Sequence, residues 1–173
     1  TGGSAENPFE TLVLGLGNVL WADEGFGVRA VEALNAGYRF PAGVRLMDGG
    51  TQGIFLLPWV RSARRLLILD AIDFGLEPGE LRVMHQEDVP RFMGAKKVSM
   101  HQAGFQEVLS SATLSGSLPG ELVLIGVQPE ILAVLELHFH DDRLDQHLGT
   151  AYIEARNDRF ERRHLIRIGS DNE

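Results

Sequence analysis

Apolar residues along this chain fall into short continuous runs separated by stretches of helical spacing. Leu12-Val13-Leu14 reads as a buried strand, after which Gly15, Gly17, Gly25 and Gly27 punctuate a long turn. From Phe26 onward Val28, Val31 and Leu34 recur at helical spacing, which predicts a helix. Val44-Arg45-Leu46-Met47 predicts a second short strand that ends at Asp48. A helix with Ile54, Leu57 and Val60 on one face is expected next, with Pro58 tolerated early in it. Leu66-Leu67-Ile68-Leu69, ending at Asp70, is so continuous that it predicts a central strand covered on both faces.

Pro78-Gly79 then turns the chain into Leu81-Arg82-Val83-Met84, an expected antiparallel edge strand. Ser99 is placed to cap a helix that starts near His101 and carries Phe105, Val108 and Leu109. Leu122-Val123-Leu124-Ile125 is the last buried strand, closed by Gly126 and Pro129. Residues 155–168 are rich in Arg with scattered apolar positions and are expected to form a terminal helix with a solvated basic face. Alternating strands and helices predict an α/β fold, a three-layer αβα sandwich around a mostly parallel sheet with one antiparallel edge strand. One domain is expected over residues 11–154, preceded by a start (1–10) that includes the tag-like Thr1-Gly2-Gly3-Ser4 and followed by a basic tail (155–173).

Composition narrows the function classes. The 173 residues are 44% hydrophobic and 23% charged, in the range of globular domains. Cys is absent, which removes disulfides, thiolate metal sites and a cysteine nucleophile. A formal net charge of −8 disfavours a nucleic-acid binder, which needs clustered Lys and Arg to neutralise phosphate. No apolar run approaches the roughly 20 residues of a membrane span, and no signal peptide is visible, so no membrane insertion and a cytoplasmic location are expected.

In open α/β sheets, ligands gather at the carboxyl ends of the strands near the point where strand order reverses. Those ends carry Asp48 and Asp70, and the first turn carries Asp23 and Glu24. If the first and third strands are neighbours, Glu24 and Asp70 converge on one crevice, and His101 can share that edge. Two carboxylates and an imidazole suit a divalent transition ion, nickel, zinc or copper rather than magnesium. The same groups also suit acid–base hydrolysis. Any one of them alone is more simply a solvated turn glutamate or a helix-capping aspartate; their convergence is what favours function.

Other patterns carry less. Gly25-Phe26-Gly27-Val28-Arg29-Ala30 fits a dinucleotide fingerprint with Asp48 about 20 residues on, but it starts well beyond the strand, and Asp23 and Glu24 would repel a pyrophosphate. Gly15-x-Gly17 has Leu20 where the third glycine belongs. Thr51 has no neighbouring base in sequence, so the glycines before it more simply let a partner's backbone approach. His138, His140, Asp141, Asp142 and His147 fit no ligand spacing and read as a solvated polar tail.

GLGNVLWADEGFGVRAVEAL, DGGTQG (48–53), LLILDAID (66–73), AKKVSMHQ (95–102) and LIGVQPE (124–130) together resemble the hydrogenase maturation endopeptidases, most of all the branch serving uptake-type nickel–iron hydrogenases. The resemblance implies a five-stranded twisted sheet and a nickel-dependent protease that removes the C-terminal extension of a hydrogenase large-subunit precursor. It implies metal contacts at Glu24, Asp70 and His101, with nickel supplied mainly by the nickel-loaded precursor. Asp48, with Glu24 and Asp70, is the expected catalytic set, and Gly49, Gly50, Thr51 and Gln52 the expected substrate groove. A non-catalytic nickel-sensing chaperone and a dinucleotide-binding oxidoreductase are the competing expectations. After Glu130 the family's glycine-containing segment and Leu-Ser/Thr-Pro stretch do not follow, which a diverged end or a shifted reading frame would each explain.

Overall fold

The fold is taken from a computed structural model that describes residues 9–20, 22–95, 100–129, 136–141, 151–157 and 162–168. Strand β1 (Phe9–Leu16) lies between β2 (Val44–Gly50) and β3 (Ala63–Ala71), and all three are parallel. At the other end of this sheet β4 (Leu81–His85) runs antiparallel against β5 (Glu121–Val127), which pairs in parallel with β3. The order is β2-β1-β3-β5-β4. Five strands, mostly parallel with one antiparallel edge, match the architecture expected from the apolar runs. The neighbours of β1 are β2 and β3, as the convergence of Glu24 and Asp70 requires.

Side-chain parity divides the core. Leu12, Leu14, Leu16, Leu66, Ile68, Leu122 and Leu124 face one side of the sheet, where α2 (Leu57–Arg61), α3 (Asp88–Ala95) and α4 (Met100–Leu114) cover them. Val13, Leu67, Leu69, Val123 and Ile125 face the other side, toward α1 (Phe26–Gly37). A strand buried on both faces cannot alternate with polar residues, and this is why β3 reads as a continuous apolar run. α1 buries Val28, Val31 and Leu34, the spacing seen in the sequence. On α4, Phe105, Val108 and Leu109 are buried, and burying Phe105 contributes on the order of 1.5–3 kcal/mol.

Several local expectations change. In the segment after β2, a 3-10 turn (Gly53–Leu56) leads into α2, and the buried positions are Leu56 and Val60, whereas Ile54 is half exposed. The tighter turn rotates the face by the three-residue period of a 3-10 helix. α3 was not foreseen. Ser99 lies outside the described residues. Residues 155–168 do not form the expected helix: β6 (Glu136–Asp141), β7 (Ala151–Asn157) and β8 (Arg162–Ile168) pair as an antiparallel sheet in that order. The physical reason is legible afterwards. Tyr152, Ile153, Ile166 and Ile168 are strand formers rather than helix formers. Among the described residues, no helix is long and apolar enough to cross a membrane.

Candidate functional site at the carboxyl edge of the sheet

The first turn is shaped by contacts that only glycine allows. A Cβ on Gly27 would collide with the carbonyl oxygens of Leu16 and Leu69 and lie 2.7 Å from the Leu16 nitrogen. A Cβ on Gly15 would collide with the Gly27 carbonyl in the same way. Helix α1 therefore starts directly on the backbone of β1 and β3, with no side chain between. Gly17 has φ +133°, and its Cβ would strike the Glu24 carbonyl. The glycines that suggested a dinucleotide turn are thus taken up by helix-to-sheet packing.

Two successive amides then close the first turn on itself and tie it to the end of β2. Gly17 N–H donates to the Gly50 carbonyl at 3.1 Å, and Asn18 N–H donates to the Glu24 carbonyl at 3.0 Å. Asn18 Oδ1 also accepts from Leu20 N–H at 3.0 Å. Glu24 is half-buried in the 3-10 turn Ala22–Gly25, which packs against β3 and leads directly into α1. Asp70 follows Leu69, the residue whose carbonyl Gly27 touches. Glu24 and Asp70 are thereby brought to one edge of the sheet, as the strand order predicts.

Asp70 is fully buried in the last turn of β3. Its Oδ2 accepts a hydrogen bond from Gln102 Nε2 at 2.9 Å, and the same nitrogen donates to the Ala71 carbonyl at 3.0 Å. A buried carboxyl group needs such partners, because a polar group left without them in the core is costly. The contact also brings the first turn of α4 to the end of β3. His101 precedes Gln102 in that turn, so its backbone stands beside Asp70; its side chain lies outside the described residues. The side chain of Asp23 lies outside them too.

Asp48 is placed differently. It stands abreast of Gly15 in β1, which in turn faces Leu69 in β3. Parity puts it on the α1 face with Val44 and Leu46, whereas Asp70 is on the α4 face with Leu66 and Ile68. Asp48 is exposed, whereas Asp70 is fully buried. The pairing shifts register just after it, so that Leu16 faces Gly50. Gly50 has φ +46° and Gly53 φ +55°, and Gln52 Nε2 donates to the Asp48 carbonyl at 3.5 Å. Thr51 and Gln52 are exposed on this loop, Phe55 follows them with 77% exposure, and Leu20 in the first turn is 86% exposed.

Two glutamines were quoted in the sequence motifs without a role. Gln102 is one. Gln128 is the other: its Oε1 accepts from Phe74 N–H at 2.7 Å and Leu76 N–H at 3.1 Å, and its Nε2 donates to Asp73 Oδ1 at 3.0 Å. It fixes the loop that leaves the Asp70 strand. A polar residue immediately after a buried strand, and one next to the helix-opening histidine, were the signals available. The polar tail cluster at 138–147 cannot be placed, as its side chains lie outside the described residues. Among the described residues, no three His, Cys, Asp or Glu side chains gather on their own.

These features define an αβα protein whose polar edge is built from its own carboxylates and glycine-shaped turns, not around a phosphate. A family model described as HycI, hydrogenase maturation protease, matches residues 28–142. The chain is 64% identical over 121 residues to the hydrogenase expression/formation protein HoxM of Azotobacter vinelandii, covering 70% of this chain and 58% of that protein. It is 57% identical over 125 residues to HupD of Rhodobacter capsulatus, covering 72% and 60%. The structure superposes on the hydrogenase maturating endopeptidase HybD of E. coli with a TM-score of 0.67 at 41% identity, over 70% of this chain and 75% of that one. The chain belongs to the hydrogenase maturation protease family. It spans 58–60% of the length of these two curated relatives.

Proposed function

We propose that this chain is an endopeptidase that removes the C-terminal extension of a nickel–iron hydrogenase large-subunit precursor, acting in the cytoplasm. Family membership supports the peptide-hydrolase class and the hydrogenase partner. The single structural observation behind the site is the buried Asp70 held by Gln102 at the carboxyl edge of β3. A carboxyl group buried in an otherwise apolar core, with a glutamine amide recruited to meet it, is polar machinery that packing alone gives no reason to keep.

Nickel belongs to the substrate in this reading. The donor types fit it: carboxylates at Glu24 and Asp70 with an imidazole at position 101 suit nickel or zinc better than magnesium. An ion carried by the precursor would supply Lewis-acid polarisation of a carbonyl or a water. The chain's own residues do the rest. Glu24 and Asp70 bind from the turn and the strand end, and Gln102 holds the Asp70 carboxylate in place. Gly49, Gly50, Thr51 and Gln52 line the path of the peptide, and the exposed Leu20 and Phe55 offer apolar area that a bound segment would cover. Asp48, on the outer strand, assists from the side of the groove rather than from the Asp70 pocket.

The deciding experiment is mass spectrometry of a matching precursor, nickel-loaded and nickel-free, after incubation with this chain. Loss of a C-terminal peptide only from the nickel-loaded form is expected, and Glu24→Gln, Asp70→Asn and His101→Ala should each stop it. Stable binding without clipping would instead support a nickel-sensing chaperone.

A further inference from the structure

We propose that Gln102 is a positioning residue for this site: its amide clamps Asp70 and, through α4, sets where residue 101 stands relative to that carboxylate. The inference rests on the ion-contact reading of Asp70 and His101 given above.

A primary amide nitrogen carries two protons, and Gln102 uses it toward two groups that only accept. One is the Asp70 carboxylate oxygen at 2.9 Å and the other the Ala71 carbonyl at 3.0 Å. Both partners demand the nitrogen side, so the orientation of the amide is fixed by chemistry. Gln102 is 6% exposed and Asp70 0%, so water does not compete on equal terms. The clamp therefore grips the strand end at two points, a side chain and the next backbone carbonyl.

Its second effect is mechanical. Gln102 lies in the first turn of α4, where one residue corresponds to about 1.5 Å along the axis. Residue 101 moves with it as part of the same turn. The two implied ion contacts, 31 positions apart in sequence, are thus held in fixed relation by the side chain next to one of them. Losing a group that hydrogen-bonds an ion-contacting side chain commonly weakens ion binding by about 10–100-fold.

The test uses the whole chain and Cd2+ as the probe ion. Calorimetric titration of wild type should show a site that Asp70→Asn abolishes. Gln102→Met, close in volume and compatible with a helix, should bind Cd2+ about 10–100-fold more weakly while circular dichroism shows it folded. In 15N-labelled wild type, the Gln102 side-chain amide resonances should shift during the titration with the same midpoint as the heat. Equal Cd2+ affinity in wild type and Gln102→Met would overturn the inference and leave the ion-contact reading intact. Amide resonances that stay in place at saturation would overturn it as well, and that observation needs no variant to fold. A wild-type chain that binds no Cd2+ would overturn the inference, whereas the reading beneath it, in which the precursor carries the ion, falls only if the nickel-loaded precursor is not cleaved.

Discussion

Gly53 and Gly104 meet backbone to backbone: a Cβ added to Gly104 would lie 3.3 Å from the Gly53 Cα. The first belongs to the loop after β2 and the second to α4. Two glycines thus let the expected substrate loop rest directly on the helix that carries Gln102. A β-branched residue at position 104 has no room for its methyls. Gly104→Val is expected to lower stability by about 1–3 kcal/mol, a melting-temperature drop of roughly 2–12 °C for a chain of this size. Thermal unfolding measures it, and a raised KM for precursor should accompany it as the loop is pushed outward.

The contact between Gly27 and the Leu16 and Leu69 carbonyls makes a sharper prediction. Backbone oxygens inside a paired sheet cannot move aside, so Gly27→Ala should destabilise by about 3 kcal/mol or more. Gly37 is the contrast. It ends the same helix with open space around its Cβ position, so Gly37→Ala should be neutral or stabilising by up to about 1 kcal/mol. Chemical denaturation of both variants checks the pair. Equal effects would mean that helix propensity, and not the close approach, governs these positions.

Asp70 and Asp48 lie on opposite faces of the sheet, and their neutral amide variants should separate accordingly. Asp70→Asn keeps the shape and still accepts from Gln102, so it should fold, yet cleavage should fall by at least about 100-fold. Asp48→Asn should change stability by no more than about 0.5 kcal/mol and slow cleavage by less than about tenfold. Single-turnover cleavage rates on one precursor decide between this order and the reverse.

Gln128 holds the Asp73–Leu76 turn through three hydrogen bonds. Gln128→Leu keeps the bulk and removes all three, including the acceptor for the buried Phe74 N–H. A loss of about 2–3 kcal/mol is expected in denaturant unfolding. Amide exchange at Phe74 and Leu76 should accelerate in the variant, whereas exchange within β1 should follow only the global loss.

Much of this architecture was readable because the runs were unambiguous. The apolar run 66–69 points to a central strand, which β3 is, and Pro78-Gly79 before 81–84 signals a reversal, which β4 makes. Glu24 and Asp70 were grouped from strand order alone. The misses have physical causes. Ile54 was placed on a buried face by α-helical spacing, but a 3-10 turn changes the period there. Residues 155–168 carry both helix-tolerant arginines and strand-forming isoleucines, and pairing between β7 and β8 decided in favour of strand. The hydrogen bond from Gln102 to Asp70 is invisible in sequence because the two lie 32 residues apart, and no local pattern reports a bond across that distance. Asp48 looked equivalent to Asp70 as a strand-end acid; only the register revealed that alternate faces separate them.

Strand order also governs how the chain must assemble as it leaves the ribosome. β4 pairs with nothing that precedes it; its hydrogen-bonding neighbour is β5, made only after α3 and α4. At roughly 5–20 residues per second, the nascent chain spends a few seconds with β4 displayed and the outer edge of β3 open. Both are templates for unwanted pairing during that interval. β5, which pairs with β3 on one side and β4 on the other, is the element that closes both edges at once. Slowing synthesis between residues 86 and 120, by codon choice or low temperature, should therefore reduce soluble yield more than an equal delay placed after residue 127.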